Sequence, residues 1–280
     1  MLQPTFRQRT YQWDNCSLSL GSRTLVMGIL NVTPDSFSDG GRYNRVDRAI
    51  AHVREMVAQG ADIIDIGGES TRPGFEPVGA EEELSRVIPV IEALHAEMPQ
   101  IPISVDTYKA EVGRRALEAG AHILNDIWGC KKDEQMARAA AQYQCPIILM
   151  HNRPARQYDD FVQDVKRDLL ESVAIATAAG VKEENIWLDP GIGFAKNLED
   201  NLTLMHHLDE LGELGYPVLL AASRKRFIRD TLQLPVDELV EGTAATTALG
   251  IAQGCQIVRV HDIEANVRTA RMCDAMLYPR

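Results

Sequence analysis

The 280-residue sequence is poor in aromatic residues and has only five cysteines: Cys16, Cys130, Cys145, Cys255 and Cys273. The cysteines are widely spaced and none belongs to a CxxC pair, which argues against a disulfide framework and against a structural zinc site. No apolar run approaches the ~20 residues that a membrane-spanning helix needs. The basic N-terminus is not followed by the apolar segment of a secretory leader. We therefore expect a cytoplasmic protein with reduced thiols and no membrane partner.

Basic residues are also scarce, because 29 Lys and Arg stand against 40 Asp and Glu and give a formal net charge of -11. This sign excludes a protein whose main task is to bind nucleic acid phosphates. Neither a GxxxxGK[ST] motif nor a strand-borne GxGxxG motif is present, so the usual fingerprints of nucleoside triphosphate and dinucleotide binding are missing. At 45% hydrophobic and 25% charged residues, the chain still has the composition of a globular protein with a large core.

Short apolar runs rich in Ile, Leu and Val alternate with amphipathic stretches along the chain. Eight such runs, each followed by a predicted helix, are typical of a closed parallel α/β barrel, in which buried strands are apolar on both faces. The predicted strands are residues 25–30, 63–66, 103–105, 123–124, 147–150, 186–188, 218–220 and 257–260, and the predicted helices are residues 46–59, 81–96, 110–119, 134–143, 161–179, 198–214, 240–252 and 263–276.

The first 24 residues precede the predicted barrel. Residues 11–20 alternate weakly in polarity and end at Gly21, a pattern that predicts a β-hairpin closing the N-terminal face of the barrel. No linker or change of composition divides the chain, so we expect residues 1–280 to form a single (β/α)8 TIM-barrel domain with an N-terminal hairpin. A doubly wound parallel sheet is the alternative that the pattern alone leaves open.

Polar side chains lie at or near the ends of all eight predicted strands. In a barrel of this kind the reacting groups lie at the carboxyl ends of the strands. A mixture of carboxylates, amides and cationic groups there suits a substrate with a hydrogen-bonding heterocycle at one end and anionic charge at the other. The residues are Asn31, Asp65, Asp106, Asn125, Asp126, His151, Asp189, Ser223, Arg224, Lys225, Arg259 and His261.

Two long loops that contain glycine and proline follow the first two strands, over residues 31–41 and 67–74. Loops of this kind can close over a ligand and keep water away from a reactive intermediate. No histidines have the spacing of a zinc site, and no cysteine is clearly paired with a histidine at a strand end. A hard cation fits better, because the Asn31 amide and nearby aspartates supply the oxygen ligands that Mg²⁺ prefers.

Seven segments together closely resemble the motifs of the bacterial dihydropteroate synthase family. The first two are long, and all seven fall in the order that the family has, over a match that runs from about residue 20 to the end. The segments are residues 28–41, 65–74, 104–107, 125–127, 189–194, 223–225 and 259–262.

The resemblance implies an enzyme that joins hydroxymethyl-dihydropterin pyrophosphate to para-aminobenzoate and releases dihydropteroate and pyrophosphate. It also implies the roles of individual residues. Asp65 and Asp106 are expected to stabilise a cationic intermediate, and Lys225, Arg259 and His261 complete the catalytic set. The pterin is expected to contact Asp106, Asn125, Asp189 and Lys225, with Met150 and Ile127 as the wall of its pocket. The pyrophosphate is expected to contact Asn31, Arg259 and His261. The residues expected around para-aminobenzoate are Phe37, Thr71, Arg72, Pro73, Phe194 and Ser223.

By the same resemblance we expect Mg²⁺ as cofactor with Asn31 as its protein ligand, a homodimer, and sulfonamides as inhibitors. Leu249, Ile251 and Val267 are candidates for the dimer interface, and a place in the core is at least as good an interpretation of them. Two departures from the family pattern are visible. Ala221 stands where many relatives have glycine and is expected to narrow the pterin pocket. Asn152 and Arg153 follow His151, where a methionine is common in the family.

Two other functions compete with this interpretation. A pterin-binding methyltransferase would share the barrel and several strand-end residues, but it would not need the residues that handle pyrophosphate. A catalytically silent paralogue should have lost some loop or phosphate-site residues, whereas Asn31, Arg72, Lys225, Arg259 and His261 are all present. Release of pyrophosphate distinguishes the synthase from both.

Overall fold

The computed structural model describes residues 6–33, 42–69 and 77–277. Short runs of β-branched and other apolar residues form the strands of its barrel, because such side chains pack well on a pleated surface that is buried on both faces. The strands are β1 (Arg9–Gln12), β2 (Ser17–Leu20), β3 (Leu25–Asn31), β4 (Ile63–Gly67), β5 (Ile103–Asp106), β6 (Ile123–Asp126), β7 (Ile147–Met150), β8 (Ile186–Asp189), β9 (Leu219–Leu220) and β10 (Ile257–Val260).

Eight of these strands form one parallel sheet in the order β8-β7-β6-β5-β4-β3-β10-β9. A parallel bridge between Leu188 and Val218 joins the two outer strands and closes the sheet almost completely. The prediction of a (β/α)8 barrel is therefore confirmed, and the doubly wound alternative is wrong. All eight predicted strand positions are occupied by strands.

Helices connect successive strands and cover the outside of the barrel, where they bury its outward apolar side chains. Each buried aliphatic side chain contributes about 1.5–3 kcal/mol. The helices are α1 (Arg42–Gln59), α2 (Ala80–Glu97), α3 (Ala110–Glu118), α4 (Gln135–Tyr143), α5 (Phe161–Ala178), α6 (Leu198–His206), α7 (Leu208–Gly212), α8 (Arg226–Leu232), α9 (Val240–Ala252) and α10 (Ile263–Leu277).

The amino-terminal end of the barrel is filled by apolar side chains and covered by the predicted hairpin, which β1 and β2 form as an antiparallel pair. Tyr11 and Leu18 of the hairpin pack with inward residues of the barrel, including Met27, Ile63 and Trp187. The Tyr11 hydroxyl donates to the Glu184 carbonyl at 2.6 Å and accepts from Trp187 Nε1 at 2.8 Å. These contacts hold the hairpin against the base of the barrel.

The predicted helices differ from the structure in two places. The stretch 198–214 is broken at His207, because the Gln253 side chain accepts from the Leu208 amide at 3.1 Å and donates to the Met205 carbonyl at 2.8 Å. A side chain inserted in this way interrupts the helical hydrogen bonds. The short helix α8 was not predicted. Its only fully buried apolar pair, Phe227 and Ile228, gives too short a pattern to indicate a helix.

The candidate interface residues do not share one environment. Leu249 is 45% exposed, whereas Ile251 and Val267 are buried in the core. Two further large side chains near the end of the described chain, Met272 and Met276, are exposed on α10. All five cysteines are buried and unpaired. Within the described ranges, no helix combines the length and apolar character needed to cross a membrane.

Candidate active site

The carboxyl end of the barrel gathers most of the predicted polar residues. Side chains alternate between the two faces of a strand, and the same alternation that directs Ile63, Ile123 and Trp187 into the base directs Asp65, Asn125 and Asp189 into the barrel two residues later. Asp65, Asn125 and Asp189 are almost fully buried. Neighbouring strands hold Asp106 and Asn125 at the same height, because these two residues pair across β5 and β6.

Arg259 on β10 connects two of the buried carboxylates. Its Nε lies 2.5 Å from Asp65 Oδ2, and its Nη2 lies 2.6 Å from Asp106 Oδ2. The Asn125 amide also donates to Asp65 Oδ2, at 3.2 Å. Burial alone lowers the pKa of Arg259, but the two carboxylates more than offset it and hold the pKa above its usual value. The cluster therefore fixes a permanent positive charge between two acceptors.

The two carboxylates keep unused hydrogen-bonding capacity. Asp65 Oδ1 and Asp106 Oδ1 are buried, and neither has a partner among the described residues. Burial raises the pKa of Asp106 to about 7; Arg259 lowers it, and Asp65, Glu83 and Asp189 add to the increase. A buried acceptor without a partner costs about 1–3 kcal/mol. Such atoms, aimed at one end of a barrel, are suited to N–H donors of a ligand.

Asp189 and Lys225 form the second charged part of the site. Asp189 Oδ1 accepts from the Gly191 amide at 2.7 Å, and burial raises the pKa of Asp189. Lys225 donates to the Ile192 carbonyl, and its Nζ lies 4.9 Å from the centre of the Phe194 ring. Burial lowers the pKa of Lys225 to about 8, although Asp189 opposes this effect. A pH change near 8 thus alters the charge of Lys225.

Ser223 and His261 lie side by side at the rim, on segments that follow β9 and β10. Ser223 Oγ accepts from the His261 amide at 3.1 Å and lies 2.9 Å from His261 Nδ1. Asn31 ends β3 and is partly exposed. A Cβ atom placed on Gly67 would lie 3.8 Å from Asn31 Oδ1 and 3.7 Å from Asp106 Oδ2. The Asn31 amide and the Asp106 carboxylate therefore border the same space.

Met150 and Ile127 are buried close to this cluster, Met150 through its pairing with Asp189 and Ile127 directly after β6. Four predicted substrate residues, Phe37, Thr71, Arg72 and Pro73, lie outside the described residues. Ala221, the first departure from the family pattern, belongs to the apolar cluster in the lower barrel.

Three strand-end residues do not join the cluster. Asp126 points away from the barrel interior and accepts from the Trp128 and Cys130 amides in the turn that follows β6. Arg224 forms an ion pair with Asp262 at 2.5 Å. The His151 ring lies between Asp168 and Lys196. Their inclusion among the candidate ligand groups was wrong, because position at a strand end does not fix the face to which a side chain points.

Two charged groups near the site were not predicted from the sequence. Lys196 lies after the loop that follows β8, and its ammonium group bonds to His151 and to two loop carbonyls. Lys109 forms ion pairs at 2.5 Å with both Glu69 and Glu83, which lie beside the start of the second long loop. No local pattern marks either lysine, since all of these partners except the two loop carbonyls are distant in sequence.

Comparison with known proteins agrees with this geometry. Residues 27–261 match the model of the family described as "Pterin binding enzyme". The dihydropteroate synthase of Bacillus subtilis is 61% identical over 261 residues, which are 93% of this chain and 91% of that protein. A relative at this identity favours the synthase over the methyltransferase and the silent paralogue.

Solved structures of dihydropteroate synthases superimpose closely. The Clostridium difficile protein, crystallised in the presence of pteroic acid, is 50% identical with a TM-score of 0.91, covering 96% of this chain and all of that one. The Xanthomonas albilineans protein with 4-aminobenzoic acid is 43% identical (TM-score 0.92, covering 98% and 100%). The Yersinia pestis protein with a sulfonamide drug is 41% identical (TM-score 0.88, covering 97% and 100%). This chain belongs to the dihydropteroate synthase family of pterin-binding enzymes, and its activity is that of this transferase.

Proposed function

We propose that the cluster around Arg259 binds hydroxymethyl-dihydropterin pyrophosphate and joins it to para-aminobenzoate by a dissociative substitution. One observation carries this proposal: Arg259 bridges Asp65 and Asp106, and each of these buried carboxylates keeps one oxygen without a partner among the described residues. The cluster thus offers acceptors for a heterocycle and a fixed positive charge for an anion in one place.

The pterin ring is assigned to Asp106, Asn125, Asp189 and Lys225. A carboxylate can accept two parallel N–H bonds, and Asp189 is placed to do so for the amino and amide groups of the ring. The Lys225 ammonium donates to ring acceptors from the opposite side. Met150 and Ile127, the buried apolar residues beside this group, form the pocket wall.

The pyrophosphate is assigned to Asn31, Arg259 and His261 at the rim, and para-aminobenzoate to Ser223 and Phe194. Phe37, Thr71, Arg72 and Pro73, outside the described residues, are proposed to complete the second site. The aminobenzoate complex of the Xanthomonas albilineans relative supports this assignment of the substrate. Because the Yersinia pestis relative binds a sulfonamide drug, we expect sulfonamides to raise the apparent KM for para-aminobenzoate; an unchanged rate at high sulfonamide would exclude this inhibition.

In the proposed reaction the bond between the pterin methylene carbon and the pyrophosphate oxygen breaks first. The bonding electrons leave with pyrophosphate, whose growing negative charge Arg259 and His261 disperse. Asp65 and Asp106 stabilise the positive charge that develops on the pterin methylene. The neutral amine of para-aminobenzoate then forms the new C–N bond and loses its proton afterwards, so no strong base and no nucleophilic side chain is required.

A magnesium ion fits the residues present at the rim. Mg²⁺ commonly uses one or two protein oxygens and completes its coordination with water and substrate phosphates. The Asn31 amide oxygen is such a ligand, and it borders the same open space as the Asp106 carboxylate. Among the residues that the structure describes, no group of three or more His, Cys, Asp or Glu could hold a metal alone. When bound by Asn31 and pyrophosphate, Mg²⁺ would supply Lewis-acid neutralisation of the leaving group.

We propose further that residues 1–280 form one domain, that the enzyme works in the cytoplasm and that two copies associate as a homodimer. Five buried, unpaired cysteines suit a reducing compartment. Leu249, Met272 and Met276 are exposed apolar side chains on α9 and α10, and the symmetric pairing of such a surface is the commonest form of association. The acidic net charge is the reason to expect no nucleic acid partner.

The pterin assignment is tested by calorimetric binding of hydroxymethyl-dihydropterin pyrophosphate to wild type and Asp189→Asn. The amide presents an N–H group where the ring also presents donors, so affinity is expected to fall by about 10²-fold or more. Asp209→Asn, on the surface helix α7, is the matched control and should bind as wild type does. Equal affinity of the D189N variant and wild type would overturn the assignment.

A further inference from the structure

Lys196 holds the loop after β8, residues 190–195, through hydrogen bonds. The proposed reaction does not use this residue. Lys196 Nζ lies 2.8 Å from His151 Nδ1, 2.9 Å from the Gly191 carbonyl and 3.0 Å from the Phe194 carbonyl. An ammonium group has three N–H donors, and these three acceptors use all of them. The side chain as a whole is partly exposed, but its nitrogen is enclosed by its partners.

His151 presents an acceptor to Lys196 because of its own contact with α5. Its Nε2 lies 3.1 Å from Asp168 Oδ2, so the Nε2 proton is donated to the carboxylate and Nδ1 keeps a free lone pair. Burial lowers the pKa of His151 to about 4, which keeps the ring neutral. Arg153 holds the same carboxylate at 2.5 Å. A continuous set of hydrogen bonds therefore links α5 to the loop.

The conformation of the loop requires such support. Gly191 has φ +66°, and a Cβ atom there would lie 1.9 Å from the His151 carbonyl oxygen. Ala195 has φ +48°, in the left-handed region. A non-glycine residue in that region costs of order 1–3 kcal/mol and persists only when the surroundings hold it. Tyr158 adds one contact, since its hydroxyl donates to the Ala195 carbonyl at 3.0 Å.

The two ends of the loop are held by different means. Asp189 is part of β8, and its carbonyl accepts from the His151 amide at 2.9 Å beside the pairing of β7 with β8. Phe194 lies beyond the last strand residue, and its ring is 4.9 Å from Lys225 Nζ. Its carbonyl is fixed by Lys196. Loss of Lys196 should therefore displace Phe194 more than Asp189, whose backbone stays in the sheet although its carboxylate accepts from the Gly191 amide.

We propose that Lys196 is a positioning residue: by binding the Gly191 and Phe194 carbonyls, it places the Phe194 ring beside Lys225 as one wall of the para-aminobenzoate site. The inference rests on the proposed function, which assigns para-aminobenzoate to Phe194. Lys196 does not touch either substrate. Its contribution is larger at the site of the second substrate, because Phe194 depends on the loop for its position. The pterin residues contact the loop only through the bond of the Gly191 amide to Asp189 and the bond of Lys225 to the Ile192 carbonyl.

The test compares Lys196→Met with Lys182→Met. Lys182 is an exposed lysine whose ammonium group lies 3.5 Å from Gln144 Oε1. K196M should raise the KM for para-aminobenzoate about tenfold or more, because small misplacements of site groups have large effects. The KM for the pterin pyrophosphate should rise by a clearly smaller factor, because β8 holds Asp189 and only single contacts join the loop to Asp189 and Lys225. Hydrogen exchange should accelerate in residues 190–195 and stay unchanged in the barrel strands, and K182M should alter none of these.

Three results would overturn the inference: unchanged KM values and exchange in K196M, an equal rise in both KM values, or faster exchange throughout the protein. Phe194→Ala separates this failure from that of the proposed function. If F194A leaves the KM for para-aminobenzoate unchanged, the assignment of Phe194 is wrong; if F194A raises it and K196M does not, only the role of Lys196 is wrong. If K196M does not fold, Lys196→Gln, which keeps two N–H donors, replaces it. This variant is expected to raise the KM for para-aminobenzoate more than the KM for the pterin pyrophosphate, by smaller factors than K196M.

Discussion

The two ends of this barrel are built from the same strands and use the same inward positions in opposite ways. At the amino end, Met27, Ile63 and Trp187 fill the interior, and the buried polar groups of Trp187 and Tyr11 are hydrogen-bonded to each other. At the carboxyl end, Asp65 and Asp106 lie buried around one arginine with an oxygen each to spare among the described residues. The amino end stabilises the fold, and the carboxyl end gives up stability for binding and catalysis.

The largest effect is expected from Arg259→Met, which removes the charge that joins the two carboxylates. The rate of pyrophosphate release should fall about 10²–10³-fold, as when one preorganised electrostatic group is removed from an active site. The matched control is Arg114→Met on α3, where the guanidinium forms exposed ion pairs with Glu111 and Glu118. R114M should retain the wild-type rate. Equal rates for R259M and R114M would contradict the proposed role of Arg259.

At the base of the barrel we expect a loss of stability without a loss of activity. Trp187→Ala should lower the free energy of unfolding by about 3–5 kcal/mol, the usual cost of removing a large buried aromatic side chain. Denaturant unfolding measures this loss. At a temperature where the variant is folded, its kcat should equal that of wild type, because Trp187 belongs to the apolar base. A large loss of kcat in the fully folded variant would show that the two ends are not independent.

A milder change at the same end is Tyr11→Phe. It removes a hydroxyl that accepts from Trp187 Nε1 and donates to the Glu184 carbonyl. The indole N–H is then buried without a partner, which costs about 1–3 kcal/mol. Denaturant unfolding should report that loss with unchanged KM values. Thr10→Val, at the exposed edge of the same hairpin, is the control and should change stability much less.

The pH dependence of kcat/KM tests the charges assigned to the carboxyl end of the barrel. Asp106 has its pKa raised to about 7 by burial, and Lys225 has its pKa lowered to about 8 by burial. If an ionised Asp106 and a protonated Lys225 are needed, kcat/KM should fall below about pH 7 and above about pH 8, by about tenfold per pH unit on either side. Lys225→Arg should remove the alkaline decrease, because a guanidinium stays protonated throughout this range. A profile that stays flat from about pH 6 to about pH 9 would contradict this interpretation.

The sequence predicted the strands and the core of the site because both depend on short-range patterns. Apolar runs mark the strands, and the polar residues two positions beyond inward apolar ones, such as Asp65 and Asn125, mark the site. The outward direction of Asp126 follows from the inward direction of Asn125, its neighbour on β6. The direction of His151, directly after β7, could not be predicted, since one residue of register decides the face. Lys196 and the break at His207 escaped for a different reason. They depend on contacts with His151 and Gln253, which are 45 residues or more away in sequence.

The decisive measurement is pyrophosphate release from hydroxymethyl-dihydropterin pyrophosphate in the presence of Mg²⁺, with and without para-aminobenzoate. Wild type and Lys225→Ala are compared. We predict that wild type releases pyrophosphate together with dihydropteroate, and that K225A, which lacks the ammonium group that interacts with Asp189, is strongly impaired in both. Release by K225A at the wild-type rate would contradict the claim that the charged cluster at the carboxyl end of the barrel carries the reaction.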